Sequence, residues 1–199
     1  AADIDFNIIL KNINSYGDLS SSYKEGQDYR LLSAAVFDAK YPLFKEKNNN
    51  KSYLTPRISL RYSPNQGTNL INEKSIVSYK DMFLLERINN KTLESGFSST
   101  LGLEYKNLNN LNDERFNFGL AVNFRDEEDF DLPKSSSLGQ KTSDIFGYSG
   151  LNITENLSLG YDFIIDQNLN ESNYSLISAD YNGKSFETSF KYMEKSNLI

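Results

Sequence analysis

A chain of 199 residues with a net charge of −6 is long enough for one domain of ordinary size. It has neither Cys nor His, which excludes disulfides and thiolate chemistry and removes the commonest general base and metal ligand. Its basic residues are scattered, so a nucleic-acid partner is not expected. No apolar run reaches the roughly 18 residues of a membrane helix. That leaves a β-barrel open, because half of every barrel strand faces a wet lumen and average hydropathy stays low.

Ala1 and Ala2 run directly into Ile4, Phe6, Ile8 and Leu10, an alternation already under way, so the chain reads as the mature part or a fragment of an exported protein. Period-two alternation and turn residues predict about ten strands. They fall near Asp3–Ile13, Tyr16–Lys24, Asp28–Tyr41, Tyr53–Tyr62, Ser95–Lys106, Glu114–Arg125, Ser143–Ile153, Leu157–Asp166, Ser172–Tyr181 and Ser185–Met193. No domain boundary interrupts them, so residues 1–199 read as part of one barrel domain.

Three strands carry the clearest pattern. Leu54, Ile58 and Leu60 alternate with Thr55, Arg57 and Arg61. Phe116, Phe118, Leu120, Val122 and Phe124 alternate with Arg115, Asn117, Gly119, Ala121, Asn123 and Arg125. Leu157, Leu159, Tyr161 and Phe163 alternate with Ser158, Gly160 and Asp162. Side chains alternate across a strand, so each strand has one apolar and one polar surface. Repeated over segments of about ten residues, this is the pattern of an antiparallel transmembrane β-barrel. The named apolar residues are expected to face lipid. Arg57, Arg61, Glu104, Arg115, Asn123, Arg125 and Asp162 are expected to face the lumen, the arginines pairing across strands with Glu104 or Asp162. Tyr and Phe would form the interfacial girdle, since the chain has no Trp.

Connection lengths support the same fold class. Ser63–Glu94 and Asp126–Thr142 are long, Asn107–Asp113 and Thr154–Asn156 are short, and Asn182-Gly183 reads as a two-residue type I′ turn. Outer-membrane barrels sort long loops to one side and short turns to the other. The long loops hold an apolar run, Met82–Leu85, that could touch lipid or fold into the lumen, and an acidic run, Asp126, Glu127, Glu128 and Asp129. Carboxylates bind hard cations, but such runs are more often solvated, so no metal site is assigned. Ser20–Ser22 and Ser135–Ser137 lack an evident base, so no enzyme and no cofactor is expected.

Several stretches, in order, resemble the LptD family of outer-membrane lipopolysaccharide assembly proteins. They are Tyr29-Arg30-Leu31-Leu32 and Tyr41-Pro42-Leu43; Tyr53-Leu54-Thr55-Pro56-Arg57 leading to Tyr62-Ser63-Pro64-Asn65; and Asn72-Glu73-Lys74-Ser75 with Met82-Phe83 and Glu86-Arg87. Leu101-Gly102-Leu103-Glu104-Tyr105, Ser143-Asp144-Ile145-Phe146-Gly147 and Leu157-Ser158-Leu159-Gly160-Tyr161-Asp162-Phe163 follow. The family's loop before its Gly-Leu-x-Tyr strand is shortened here to Asn89-Asn90-Lys91-Thr92, and the end Ser196-Asn197-Leu198-Ile199 lacks the family's terminal aromatic.

The resemblance implies a barrel-wall segment of a translocon that inserts lipopolysaccharide into the outer leaflet of a Gram-negative outer membrane. It further implies an LptE-like plug lipoprotein, a periplasmic Lpt bridge and membrane lipid as partners. It also implies an internal piece of a larger barrel, an open slice whose lateral gate lies elsewhere. Read without it, the residues also allow a complete small porin-like barrel, whose first and last strands would pair, or a soluble β-sandwich binding module with two apolar faces packed together.

Overall fold

The computed structural model describes residues 1–18, 26–47, 50–64, 69–72, 75–89 and 93–196. Among the described residues ten antiparallel strands form one sheet: β1 Asp3–Gly17, β2 Gly26–Lys40, β3 Leu43–Lys47, β4 Asn50–Ser63, β5 Gly96–Leu108, β6 Glu114–Arg125, β7 Ile145–Asn152, β8 Leu157–Ile165, β9 Ser172–Asn182 and β10 Glu187–Lys195. Each main strand lies beside its sequence neighbour, in the order β1-β2-β4-β5-β6-β7-β8-β9-β10, with β3 on β4. Among the described residues β1 pairs only with β2 and β10 only with β9, so the sheet is not closed.

The edges are therefore open, as in a slice of a larger barrel rather than a small barrel that closes on itself. A β-sandwich would need a second sheet over the first, and the described strands all belong to one sheet.

Two expected elements change. Tyr16 and Gly17 continue β1 and pair with Gln27 and Gly26, so the expected separate strand Tyr16–Lys24 begins as the end of β1. Its residues 19–25, including Ser20–Ser22, lie outside the described residues. Beyond Tyr41, where the sequence reading stopped, β3 appears. It is the continuation of β2: Lys40 faces Arg57, the Tyr41 N–H donates to Pro56 O at 3.1 Å, and Leu43 faces Leu54, all in one register. Pro42 lacks an N–H, so it interrupts the ladder without turning the chain.

The turn after β9 also differs. Gly183 N–H donates to Phe186 O at 2.9 Å across four residues, and Gly183 is not among the positive-φ residues, so this is not the expected two-residue type I′ turn. Parity of the connections holds, with short turns 109–113, 153–156 and 183–186 at one end and the long loops 64–95 and 126–144 at the other.

The core does not lie between two sheets. Both long loops fold back onto one face of the sheet. Val77, Tyr79, Met82 and Phe83 of the first loop, with Leu132 and Leu138 of the second, are buried against Ala121, Phe146 and Ile164 of β6, β7 and β8. A smaller cluster sets Leu93 on Leu32 and Ala34 of β2, beside Ile9 and Ile13 of β1. Burying side chains of this size stabilises by about 1.5–3 kcal/mol each, which fixes the loops as a plug on the sheet. Of the run Met82–Leu85, Met82 and Phe83 are buried in this plug and Leu84 is 51% exposed.

Candidate functional site

Strand register assigns the faces, because directly paired residues share one. Thr55, Glu104, Gly119, Tyr148, Asp162 and Leu176 form one row across β4 to β9. The next row runs Arg57, Gly102, Ala121, Phe146, Ile164 and Tyr174, and the row beyond joins Asp38, Ser59, Thr100 and Asn123. Arg61 pairs with Ser98, which pairs with Arg125. Arg57, Arg61, Glu104, Asn123, Arg125 and Asp162 therefore share the face that carries the plug.

Arg115 stands apart. Asn107 faces Phe116 and Leu108 faces Glu114, so Arg115 falls at a bulge near the short-turn end, and it is exposed.

The opposite face carries Leu54, Ile58, Leu60, Phe116, Phe118, Leu120, Val122, Phe124, Leu157, Leu159, Tyr161 and Phe163, in rows such as Leu54–Tyr105–Phe118–Ser149–Tyr161–Ile177. Among the described residues nothing covers it: Ile58, Phe124, Leu159 and Tyr161 remain 37–39% exposed within the sheet, and Ile8 and Leu10 of β1 reach 66% and 70%. Exposed apolar area on this scale marks an interaction surface.

Gly102 lets the plug sit close, and Gly119 makes room for the neighbouring strand. The Phe83 ring of the plug occupies the space where a Gly102 Cβ would project, and the Tyr148 ring of β7 lies over Gly119. Phe83 is then sandwiched by Arg57, whose guanidinium carbon lies 4.1 Å from the ring centre while its Nε donates to Asp38 at 2.9 Å. Tyr79 donates to Glu104 at 3.0 Å, and burial and then the Glu104 charge push its phenol above the usual tyrosine value.

A buried ion cluster fastens the loops at the long-loop end. Arg87 is buried in it, donating through Nε to Glu94 at 2.7 Å, through Nη1 to Thr100 at 3.0 Å and Asn123 at 2.9 Å, and through Nη2 to Glu94 and to Ser98 at 3.2 Å. Arg125 reaches Glu94 at 3.4 Å, Asp129 at 3.6 Å and the Ser95 carbonyl. Arg61 donates to the carbonyls of Leu84 and Leu85. Lys11 of β1 pairs with Glu86. Burial alone would push the Glu94 carboxyl up, but Arg87, Arg61 and Arg125 around it outweigh this and hold it at about 2.

These partners differ from those expected. Arg57 pairs with Asp38, Arg125 with Glu94 and Asp129, and Arg61 with loop carbonyls; Glu104 is taken by Tyr79. Sequence spacing did not single out Arg87, Glu94, Asp38 or Tyr79. The signal for a plug was Gly102 on the polar face of a central strand, since glycine inside a strand marks a close approach. In the acidic run, Asp126, Glu127 and Glu128 are exposed while Asp129 turns back to Arg125 and to the Ser95 hydroxyl. Among the described residues no group of three or more acidic side chains comes together to hold a metal ion.

An unclosed antiparallel meander, apolar outside and plugged on its polar face by its own long loops, is the architecture of an outer-membrane β-barrel protein. The family model LptD, LPS transport system D, matches residues 12–199, and the chain belongs to that family. No curated protein matches it. Of the stretches that carry the resemblance, Asn65 and Glu73-Lys74 lie outside the described residues, as do Asn90-Lys91-Thr92 of the shortened loop and Asn197-Leu198-Ile199.

Proposed function

We propose that this chain forms part of the barrel wall through which lipopolysaccharide reaches the outer leaflet of the outer membrane of a Gram-negative bacterium. In this reading the plugged polar face lines the lumen and the uncovered apolar face meets lipid. The observation that carries it is the sorting of the two faces along six consecutive pairings. The apolar rows are left bare, while the polar rows are closed over by buried ion pairs and loop side chains. A soluble protein could not leave the first face bare, and an open-pored porin would not fill the second with an apolar plug.

The chain acts as a conduit and not as an enzyme. Its partners are lipopolysaccharide, membrane lipid, a periplasmic Lpt bridge that delivers the glycolipid, and an LptE-like lipoprotein seated against the part of the lumenal face that the loops leave bare.

Depletion of the protein from living cells tests the reading. Newly made lipopolysaccharide is expected to stop reaching the surface, read by antibody on intact cells, and to build up inside. Unchanged surface lipopolysaccharide together with reduced uptake of small hydrophilic solutes would instead make the chain a porin.

A further inference from the structure

A cavity of about 560 Å³ lies beneath the plug, on the side facing the short-turn end of the sheet. Its roof is the loop stretch that carries Tyr79 and Lys80, and its floor is the polar face of β6 to β9, with Asn117, Tyr148, Asp162 and Tyr174. The volume is that of a small-molecule site.

Its chemistry narrows the ligand. Two cations, Lys80 and Lys106, stand against two carboxylates, Glu114 and Asp162, so the cavity has no net charge to hold a phosphate. Its aromatic walls are close together: the Tyr79 and Tyr148 rings are 4.8 Å apart and inclined at 57°. Tyrosine rings offer flat apolar faces with a hydroxyl at the rim, and carboxylates and lysines add fixed acceptors and donors. Flat apolar faces ringed by mixed donors and acceptors, without net charge, match the two surfaces of a sugar ring: its C–H face and its hydroxyl edge.

We propose that this cavity is a binding subsite for an uncharged sugar unit of the transported glycolipid, held under the plug with Tyr79 and Lys80 above it and Asp162 and Tyr174 below. The proposal rests on the conduit reading and adds to it a place where cargo meets the plug. A sugar bound there touches the plug loop itself, through the hydroxyl that Tyr79 otherwise gives to Glu104.

The test places a photo-reactive p-benzoylphenylalanine at Leu176, on the cavity wall, and separately at Ser189 on the polar face of β10, away from it. The full chain is irradiated in living cells, with and without Asp162→Ala or Tyr174→Ala. Glycolipid adducts are expected at both positions, with only the Leu176 adduct falling, roughly tenfold, in the two variants. The Ser189 adduct reports that each variant still folds and conducts. Adducts at both positions that neither variant changes would overturn the subsite and leave the conduit standing. No glycolipid adduct at either position would overturn the conduit reading as well. A polypeptide adduct at Leu176 in place of glycolipid would assign the cavity to a protein partner and overturn the subsite.

Discussion

Arg87 and Glu94 meet in the plug with side chains only 1% and 3% exposed, seven residues apart in sequence and joined by two hydrogen bonds. The pair matters because neither residue belongs to the sheet. Through Thr100, Asn123 and Arg125 it binds a loop to strands β5 and β6, so the plug is held by ions as well as by packing.

Removing one partner of such a pair leaves a buried uncompensated charge. Arg87→Ala or Glu94→Gln is expected to weaken the attachment of the loop by about 3–5 kcal/mol, far more than an exposed pair such as Lys40–Asp3 would contribute. Limited proteolysis of the assembled protein checks this: cleavage within 64–95 should speed up in both variants, while the strands stay protected.

Acidification should act on the same lock. Glu94 is depressed from 4.5 to about 2, so its contribution is fully present above about pH 4.5 and is lost as the pH falls towards 2. Loop protection should therefore decline across that window in the native protein. Glu94→Gln should lack that part of the decline, which a pH series of proteolysis rates measures.

Gly102→Ala asks whether the close approach of Phe83 is needed. The added methyl would meet the ring that Arg57 covers, and overpacking at such a site costs about 1–3 kcal/mol. Faster loop cleavage is expected, with little change at Gly160→Ala, where the nearest neighbour is the small Ser178 hydroxyl.

On the opposite face, Leu120→Arg is expected to impair membrane assembly, since a cation at mid-bilayer on a barrel wall costs about 2–4 kcal/mol. The measurement is the folded fraction recovered in outer membranes. Asn123 lies on the polar face, as its alternation predicts. It is fully buried and accepts hydrogen bonds from Arg87 and Thr100, so Asn123→Ser should loosen the plug.

Much of the sheet was legible because a strand writes its two faces into every second residue. Phe116 to Phe124 and Leu157 to Phe163 needed no tertiary information to be sorted. The break at Tyr41-Pro42 misled because proline stops a ladder hydrogen bond and a strand in the same letter; only the shared register of Lys40 and Leu43 along β4 shows that the strand goes on. The plug was not legible. Its contacts join residues such as Arg87 and Asn123, 36 apart, through loop geometry that leaves no periodic trace. The arginines on the polar face could be seen, but not that their partners would come from Asp38 and from the loop.

The assignment of the two faces is the central claim, and the absence of cysteine makes it directly measurable. Single cysteines at Leu103, Leu120 and Tyr161 on one face, and at Thr55, Lys106 and Asp180 on the other, would be labelled with a polarity-sensitive fluorophore in the assembled protein and exposed to brominated lipids. Quenching confined to the first three is the predicted result. Equal quenching at both sets, or quenching only at Thr55, Lys106 and Asp180, would contradict the account.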